Sequence, residues 1–388
     1  MRLKDLSLSA VVAGFVAVLV GFTSSVVIVF HAAEALGATP AQTTSWMWAL
    51  GLGMGLTSAG LSLWYRQPVL TAWSTPGAAL IAGTSGLSMA EGIGAFVVCA
   101  LLITVAGASG FFARVMDRIP RALAAALLAG VLARFGFDAC LALKASPALV
   151  LAMLAAYLLG KRLWPRYAVP GVLLAGIAVA AAQGTLNLGA VQWQLARPVW
   201  TMPAFSLQAL VGLALPLFVV TMASQNLPGV AAQRAAGYDT PVSPPVTVTG
   251  LASLLLAPFG GYALNLAAIT AAICMGREAH ADPARRYMAA VMAGLFYVTL
   301  GLAGGAVVGL IGAFPKALVL AVAGLALLST IGGALAMGLH EEKTREAALL
   351  TFLVTASGLS LFGIASAFWG LVAGVLALAV QHWRPSFR

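Results

Sequence analysis

Apolar residues fill most of this chain in long stretches, and polar or charged residues cluster between those stretches. Comparing the stretches with the roughly 20 residues that a membrane-spanning helix needs predicts about 14 spanning segments. The pattern therefore predicts an all-α polytopic membrane protein. The predicted segments start near Leu8, Thr43, Val69, Glu91, Arg121, Pro147, Tyr167, Ser206, Val246, Tyr262, Tyr287, Lys316, Ala347 and Ser366.

Two of the apolar segments are interrupted where a spanning helix should continue. One interruption is Thr75-Pro76-Gly77-Ala78 in segment three, and the other covers residues 260–265 in segment ten. Thr75 followed by proline can cap a helix, and Asn265 can cap the apolar run after it. Each site therefore predicts an extended stretch that ends in a half-helix at membrane depth. Irregular backbone at that depth lines a cavity or is buried in protein, and paired broken helices indicate a transporter's binding site.

The two halves of the chain repeat a local motif. Ile119-Pro120-Arg121-Ala122-Leu123 begins one segment, and Phe314-Pro315-Lys316-Ala317-Leu318 begins another segment 195 residues later. Each interruption precedes one of these motifs by a similar distance. Seven segments per half is an odd number, so the second half must be inserted upside down. We therefore predict two inverted seven-segment repeats, over residues 1–195 and 196–388.

Composition and charge support a location in the membrane. The chain is 61% hydrophobic and 8% charged, and its mean hydropathy is +0.99. Its formal net charge is +10, but the basic residues lie at segment ends, so no nucleic-acid partner is expected. If the N-terminus is cytoplasmic, only four basic residues lie outside, which is the distribution expected of inner-membrane proteins. Both termini are then cytoplasmic. The four outer residues are Arg134, Lys144, Arg197 and Lys316.

Motifs for catalysis are missing from the sequence. There is no GxxxxGK[ST] motif for ATP, no catalytic pairing at membrane depth and no metal-ligand spacing. His340-Glu341-Glu342 lacks the second histidine of a zinc helix. Gly51-x-Gly53-x-Gly55 lies within a membrane segment, where it indicates close helix packing. We therefore expect a transporter that is not an enzyme and has no cofactor or metal. A channel stays as a weaker alternative, since two broken helices at one closed site favour a carrier.

Polar residues inside apolar segments indicate the substrate site, because burying them in lipid without partners costs free energy. Half-helix N-termini can bind an anion through unsatisfied N–H groups and positive dipole ends. Neither broken segment contains Lys or Arg, so backbone N–H groups and the amides of Gln225 and Asn265 would bind a carboxylate. Phe22, Trp73 and Tyr262 would cover an aromatic body. The predicted substrate-binding residues are Phe22, Thr23, Ser24, Trp73, Ser74, Thr75, Gly77, Gln225, Asn226, Tyr262, Asn265 and Leu266.

Several strings resemble the bacterial benzoate–proton symporter family. They are residues 72–80 (AWSTPGAAL), residues 225–229 (QNLPG) and the stretch 257–287. The resemblance implies uptake of benzoate with protons across the bacterial inner membrane. It also implies the fold of uracil–proton symporters and nucleobase–ascorbate transporters, with core and gate domains interleaved along the chain. In that fold, short strands precede the half-helices of segments three and ten. A homodimer is compatible with it.

One departure from those relatives concerns the proton. The nucleobase transporters carry glutamates in segments eight and ten, where this chain has Gln225-Asn226 and Asn265. Losing those acids suits an anionic substrate, because like charges repel in a low-dielectric site. The substrate carboxyl and His31 then stay open as proton carriers. The leading hypothesis is proton-coupled import of benzoate or a similar small aromatic carboxylate by alternating access. An anion exchanger or uniporter of the same fold is the alternative.

Overall fold

The computed structural model describes residues 5–187, 189, 195–303, 313–359, 361 and 366–382. This part of the chain is mostly helical and contains one small sheet. Its strands are β1 (Thr71–Trp73) and β2 (Leu264–Leu266). The helices are α1 (Leu8–Ala35), α2 (Pro40–Tyr65), α3 (Thr75–Ala82), α4 (Met89–Ala108), α5 (Phe111–Met116), α6 (Arg121–Ala145), α7 (Pro147–Leu163), α8 (Ala168–Ala182), α9 (Leu207–Ala235), α10 (Ser243–Leu256), α11 (Ile269–Met275), α12 (Tyr287–Leu302), α13 (Lys316–Gly338), α14 (Glu342–Ser357) and α15 (Ser366–His382).

The observed elements follow the predicted segments closely. Helices α1, α6, α7, α12 and α13 begin at the predicted residue, and the other predicted starts lie within a few residues of an element. Among the described residues, α4, α6, α9 and α13 are long and apolar enough to cross a membrane by themselves. The alternation of apolar and polar stretches therefore predicted the helical architecture.

The repeated proline motif has the same local structure in both halves. Pro120 and Pro315 each lie immediately before a helix, with φ of −58° and −57°, respectively. Proline at this position costs no helical hydrogen bond, because the first helical N–H groups have no intrahelical partner. The two helices that follow, α6 and α13, pack against each other.

The two interrupted segments meet in the small sheet. Strand β1 pairs with β2 in an antiparallel arrangement, with Ala72 opposite Asn265 and Trp73 opposite Leu264. The N–H of Ala267 also donates to the carbonyl of Leu70 at 2.9 Å, which extends the ladder beyond β2. Each strand is followed by a short helix, α3 or α11. The predicted extended stretches and half-helices are thus confirmed.

Helix packing separates the molecule into two bundles. In the first bundle, α1 to α4 pack with α10 to α12, around the small sheet. In the second bundle, α6 to α8 pack with α13 to α15. Helix α9 lies between the bundles, because its first half contacts α3 and α4 and its last turns contact α6.

Glycines allow α2 and α12 to pack at backbone contact. A Cβ atom on Gly51 would lie 2.5 Å from the Cα of Gly301, and one on Gly55 would lie 2.6 Å from the carbonyl oxygen of Gly294. A Cβ on Gly53 would meet the Leu264 side chain at 2.5 Å. All three spaces are too small for a methyl group. The packing role predicted for the Gly51-x-Gly53-x-Gly55 string is confirmed.

Candidate substrate site

An internal cavity lies where the two interrupted segments meet α1, α2, α9 and α12. It encloses about 490 Å³ of empty space, including its opening. The cavity is lined by Val20, Gly21, Ser25, Met54, Ala72, Trp73, Thr75, Gln225, Ala267, Ala268, Ile269, Thr270 and Tyr297.

Helix α3 is capped by Ser74. The Ser74 hydroxyl accepts a hydrogen bond from the N–H of Gly77 at 3.1 Å, and Thr75 and Pro76 are the first two helical residues. The prediction of Thr75 as the cap was therefore wrong by one residue, because the backbone of Ser74 is still extended. As the first residue of the helix, Thr75 lines the cavity.

Trp73 forms one wall of the cavity, and a hydrogen bond and an aromatic contact hold its side chain in place. Its indole N–H donates to the Ser25 hydroxyl at 3.0 Å, and that hydroxyl donates to the carbonyl of Gly21 at 3.0 Å. Phe22 packs edge-to-face on the Trp73 ring, with 4.9 Å between ring centroids. Phe22 thus supports the wall and is not itself a lining residue. The side chains of Thr23 and Ser24, also predicted for the site, lie outside the described residues.

Asn265 lies in the middle of β2, so its prediction as a helix cap is wrong. The ladder continues to Ala267, so α11 begins only at Ile269 and has no side-chain cap. The Asn265 amide donates to the carbonyl of Ala263 at 3.1 Å, and its Oδ1 atom has no hydrogen-bond partner among the described residues. The side chain is buried and is not among the residues that line the cavity.

Thr270, in the first turn of α11, lines the cavity and was missed by the predictions. It is 6% exposed, and no described residue hydrogen-bonds its hydroxyl. The Tyr297 hydroxyl lies close to Thr270. Buried hydroxyls normally have a partner, so this one is available to a ligand. The sequence signal was the position of Thr270 as a lone hydroxyl residue in the apolar run after the second interruption.

Helix α9 contributes Gln225 from a π-helical turn over Met222–Asn226. Gln225 lines the cavity, whereas the adjacent Asn226 is buried and accepts a hydrogen bond from the N–H of Leu266 at 2.9 Å. Asn226 and Leu266 therefore join α9 to β2 and do not line the cavity. The extra residue of a π-helical turn rotates neighbouring side chains, and such turns are frequent at functional sites.

Two further predicted site residues lie away from the cavity surface. A Cβ on Gly77 would lie 2.5 Å from a methyl group of Leu217, so this glycine allows α3 to approach α9. Tyr262 is buried in another aromatic cluster, with its ring centroid 5.7 Å from those of Trp46 and Phe96. Of the predicted residues, the structure brings Trp73, Thr75 and Gln225 together at the cavity.

No charged side chain lines the cavity in the described part of the chain. Its polar side-chain groups are hydroxyls, one amide and one indole. These are neutral hydrogen-bond donors set in an otherwise apolar wall. Such a lining can bind a small amphipathic molecule with one apolar body and one polar end.

Two interrupted segments that meet at an internal cavity are the arrangement typical of a membrane transporter's binding site. The chain belongs to the benzoate membrane transport protein family, whose family model matches residues 4–380. The resemblance found in the sequence is therefore confirmed, and this is a family of transporters and not of enzymes.

Two relatives match nearly the whole chain. The chain is 51% identical over 383 residues to the inner membrane protein YdcO of Escherichia coli K12, covering 98% of both chains. It is 40% identical over 375 residues to a benzoate membrane transport protein of Acinetobacter baylyi, covering 96% of this chain and 95% of that one.

Two solved structures are similar to this chain at low sequence identity. The overall structure of SLC26A9 has a TM-score of 0.50 and 12% identity, covering 98% of this chain and 66% of that chain. The transmembrane domain of a cyanobacterial bicarbonate transporter, BicA, has a TM-score of 0.46 and 13% identity, covering 98% of both chains. The first likeness supports a shared transporter fold and nothing about the substrate.

Proposed function

We propose that this protein imports benzoate, or a similar small aromatic carboxylate, together with protons across the bacterial inner membrane. The single observation that carries the proposal is a cavity with aromatic walls and neutral hydrogen-bond donors, located between two half-helices. The family and the Acinetobacter baylyi relative support benzoate as the substrate.

The aromatic ring of the substrate would lie between Trp73 and Tyr297. Both side chains line the cavity, and Phe22 packs against both rings, at 4.9 Å and 5.8 Å between centroids. Aromatic rings prefer edge-to-face or offset contacts, which these walls can offer. Apolar side chains such as Met54 and Ile269 complete the surroundings of the ring.

The carboxylate would be bound by neutral donors. The Thr270 hydroxyl has no hydrogen-bond partner among the described residues, and Gln225 also lines the cavity. Hydrogen bonds to a charged group are stronger than neutral ones, and the low dielectric of the interior strengthens them further. Without a fixed cation, the anion would leave the site during transport without breaking an ion pair.

Alternating access would be a movement of the first bundle, the core, against the second bundle, the gate. Helix pairing supports two inverted repeats of seven segments, over residues 1–195 and 196–388. In the proposed repeats, α2 corresponds to α10 and α4 corresponds to α12. The pairing of α2 with α12 therefore has a symmetry-related counterpart in the pairing of α4 with α10, and both pairs are closely packed. Strands β1 and β2 also correspond to each other, so exchanging the repeats leaves the β1–β2 pair unchanged. In this arrangement, both termini are cytoplasmic, as the distribution of basic residues favours.

Ligand binding to the purified protein tests the choice of substrate. Benzamide has nearly the same shape as benzoate and no charge, so it is the matched control. We expect benzoate to bind at least about tenfold more tightly, because hydrogen bonds to a charged group gain about 1.5–3 kcal/mol. Equal affinity for benzamide would contradict a carboxylate site. An exchanger or uniporter of the same fold would pass this test, and transport measurements distinguish those alternatives.

A further inference from the structure

A buried carboxylate joins the cavity-bearing half-helix α11 to the second bundle. Glu278 lies three residues beyond the end of α11 and is 4% exposed. Its Oε1 atom lies 2.6 Å from Nζ of Lys161, on α7, and accepts a hydrogen bond from the Ser329 hydroxyl, on α13, at 2.7 Å. Both partners belong to the second bundle, so Glu278 is a direct polar contact between the two bundles.

The other carboxylate oxygen of Glu278 is buried and has no hydrogen-bond partner in the described part of the chain. A buried carboxylate oxygen without a hydrogen-bond partner is costly while the group is charged, and a proton on that oxygen would neutralise the charge. The proton would bind Oε2 from water, while Lys161 keeps its own proton and charge. The neutral carboxyl group would then attract Lys161 much more weakly.

Lys161 is the charged group that pairs with Glu278, as the residues on each neighbouring element show. On α7, the Nζ atom of Lys161 lies 5.7 Å from the centre of the Tyr157 ring. From α13, the facing group is the uncharged Ser329, since Lys316 at the first position is the only charged residue of that helix. The segment that carries Glu278 also contains Arg277, His280, Asp282, Arg285 and Arg286.

Those residues of the same segment are engaged elsewhere or exposed. Arg286 is buried and donates to the carbonyls of Met275 and His280, at 2.9 Å and 2.8 Å. Asp282 pairs with Arg285 at 3.3 Å, and its N–H donates to Nδ1 of His280 at 3.0 Å. Arg277 is exposed. The Arg286 contact with Met275 fixes the segment to the last residue of α11.

We infer that Glu278 is the proton-binding residue of this transporter, an inference that rests on the proposed proton symport. Charged Glu278 holds α11 to the second bundle through Lys161 and Ser329. Protonated Glu278 releases Lys161, which is 32% exposed and can be hydrated once it is released. Because α11 has seven residues, about 10 Å separate its cavity end from its Glu278 end. Substrate and proton would therefore act on opposite ends of one rigid element.

The variant Glu278→Gln keeps the size and the hydrogen bond from Ser329 but cannot bind a proton. We expect it to bind benzoate and to exchange internal for external benzoate at equal pH, as the parent does. Accumulation driven by a pH gradient should fall about tenfold or more, in line with typical coupling between sites. Asp117→Asn is the matched control, since Asp117 pairs with Arg234 at 2.5 Å but is exposed. It should accumulate benzoate like the parent.

A direct proton measurement avoids the passive leak of benzoic acid through the bilayer. Adding benzoate to the purified parent in weakly buffered solution should change the number of bound protons, and Glu278→Gln should lose that change. Ser329→Ala serves as a second variant that leaves the carboxylate in place. It removes a donor that favours the charged form, so the pH midpoint of uptake should move to higher pH. A role in packing alone would leave the midpoint unchanged.

The outcomes separate this inference from the proposed function. If the parent shows no response to a pH gradient, the proposed proton symport itself fails. If the parent responds and Glu278→Gln responds equally, symport stands and the assignment of Glu278 is overturned. If Glu278→Gln does not fold, an unchanged pH midpoint in Ser329→Ala overturns the assignment, and a midpoint shifted to higher pH supports it.

Discussion

The Thr221 hydroxyl donates a hydrogen bond to the Ser74 hydroxyl at 2.9 Å, although the two residues are 147 positions apart. Ser74 also caps α3, and Thr221 immediately precedes the π-helical turn that carries Gln225. At the end of that turn, Asn226 is bonded to β2. The turn is therefore fixed at both ends to the two interrupted segments, and Gln225 is held at the cavity between them.

Removing the Ser74 hydroxyl should weaken both folding and substrate binding. We expect Ser74→Ala to lower the free energy of unfolding by about 1 kcal/mol through loss of the helix cap. Benzoate affinity should fall as well, because the first turn of α3 is no longer fixed at the cavity. Thr221→Val is the control that keeps the cap and loses only the bond between the segments. Thermal unfolding and equilibrium binding measure both effects, and a Ser74→Ala variant unchanged in both would contradict this role.

Gln225 and Asn226 are neighbours with opposite expected phenotypes. Gln225→Ala should weaken benzoate binding about tenfold with little change in stability, because its amide faces the cavity. Asn226→Ala should lower the free energy of unfolding by about 1–3 kcal/mol, since the Leu266 N–H is left buried and unpaired. The same binding and unfolding measurements test the pair. If the two phenotypes were exchanged, the observed orientation of the π-helical turn would be refuted.

The Thr270 hydroxyl should matter to the ligand and not to the fold. Thr270→Val replaces a buried hydroxyl that has no hydrogen-bond partner among the described residues by a methyl group of similar size, so stability should be unchanged or slightly higher. Benzoate affinity should fall about tenfold if the hydroxyl donates to the carboxylate. Thr270→Ser, which keeps the hydroxyl, is the matched control. Parent-like binding by the valine variant would exclude Thr270 from carboxylate recognition.

Asn265 should now affect stability more than binding. Its amide donates to the Ala263 carbonyl, so Asn265→Asp places a carboxylate against an acceptor in the buried sheet. Burial disfavours the charged form of such a carboxyl group. The loss of stability should therefore be greatest at neutral pH and be relieved at acidic pH, as the carboxyl group is protonated. Unfolding of the Asp and Ala variants across pH tests this. An Asp variant whose stability is independent of pH would contradict a buried position.

The sequence predicted the interruptions because proline, glycine and polar residues are unusual inside membrane-length apolar runs. It could not place Asn265 correctly, since the position of this residue depends on pairing with Ala72, almost 200 residues away. The location of Tyr262 beside Trp46, away from the cavity, follows from the same pairing. The π-helical turn of α9 was not predicted either. Its register depends on the bonds of Thr221 and Asn226 to distant elements, and local propensity does not encode them.

Initial uptake of radiolabelled benzoate into proteoliposomes, with and without an imposed proton gradient, tests the central proposal most directly. Protein-free liposomes supply the correction, because neutral benzoic acid crosses bilayers unaided. We expect protein-dependent uptake that saturates with benzoate and is driven inward when the outside is more acidic. Saturable uptake that ignores the gradient would contradict symport and favour a uniporter or exchanger, and flux that never saturates would contradict a carrier altogether.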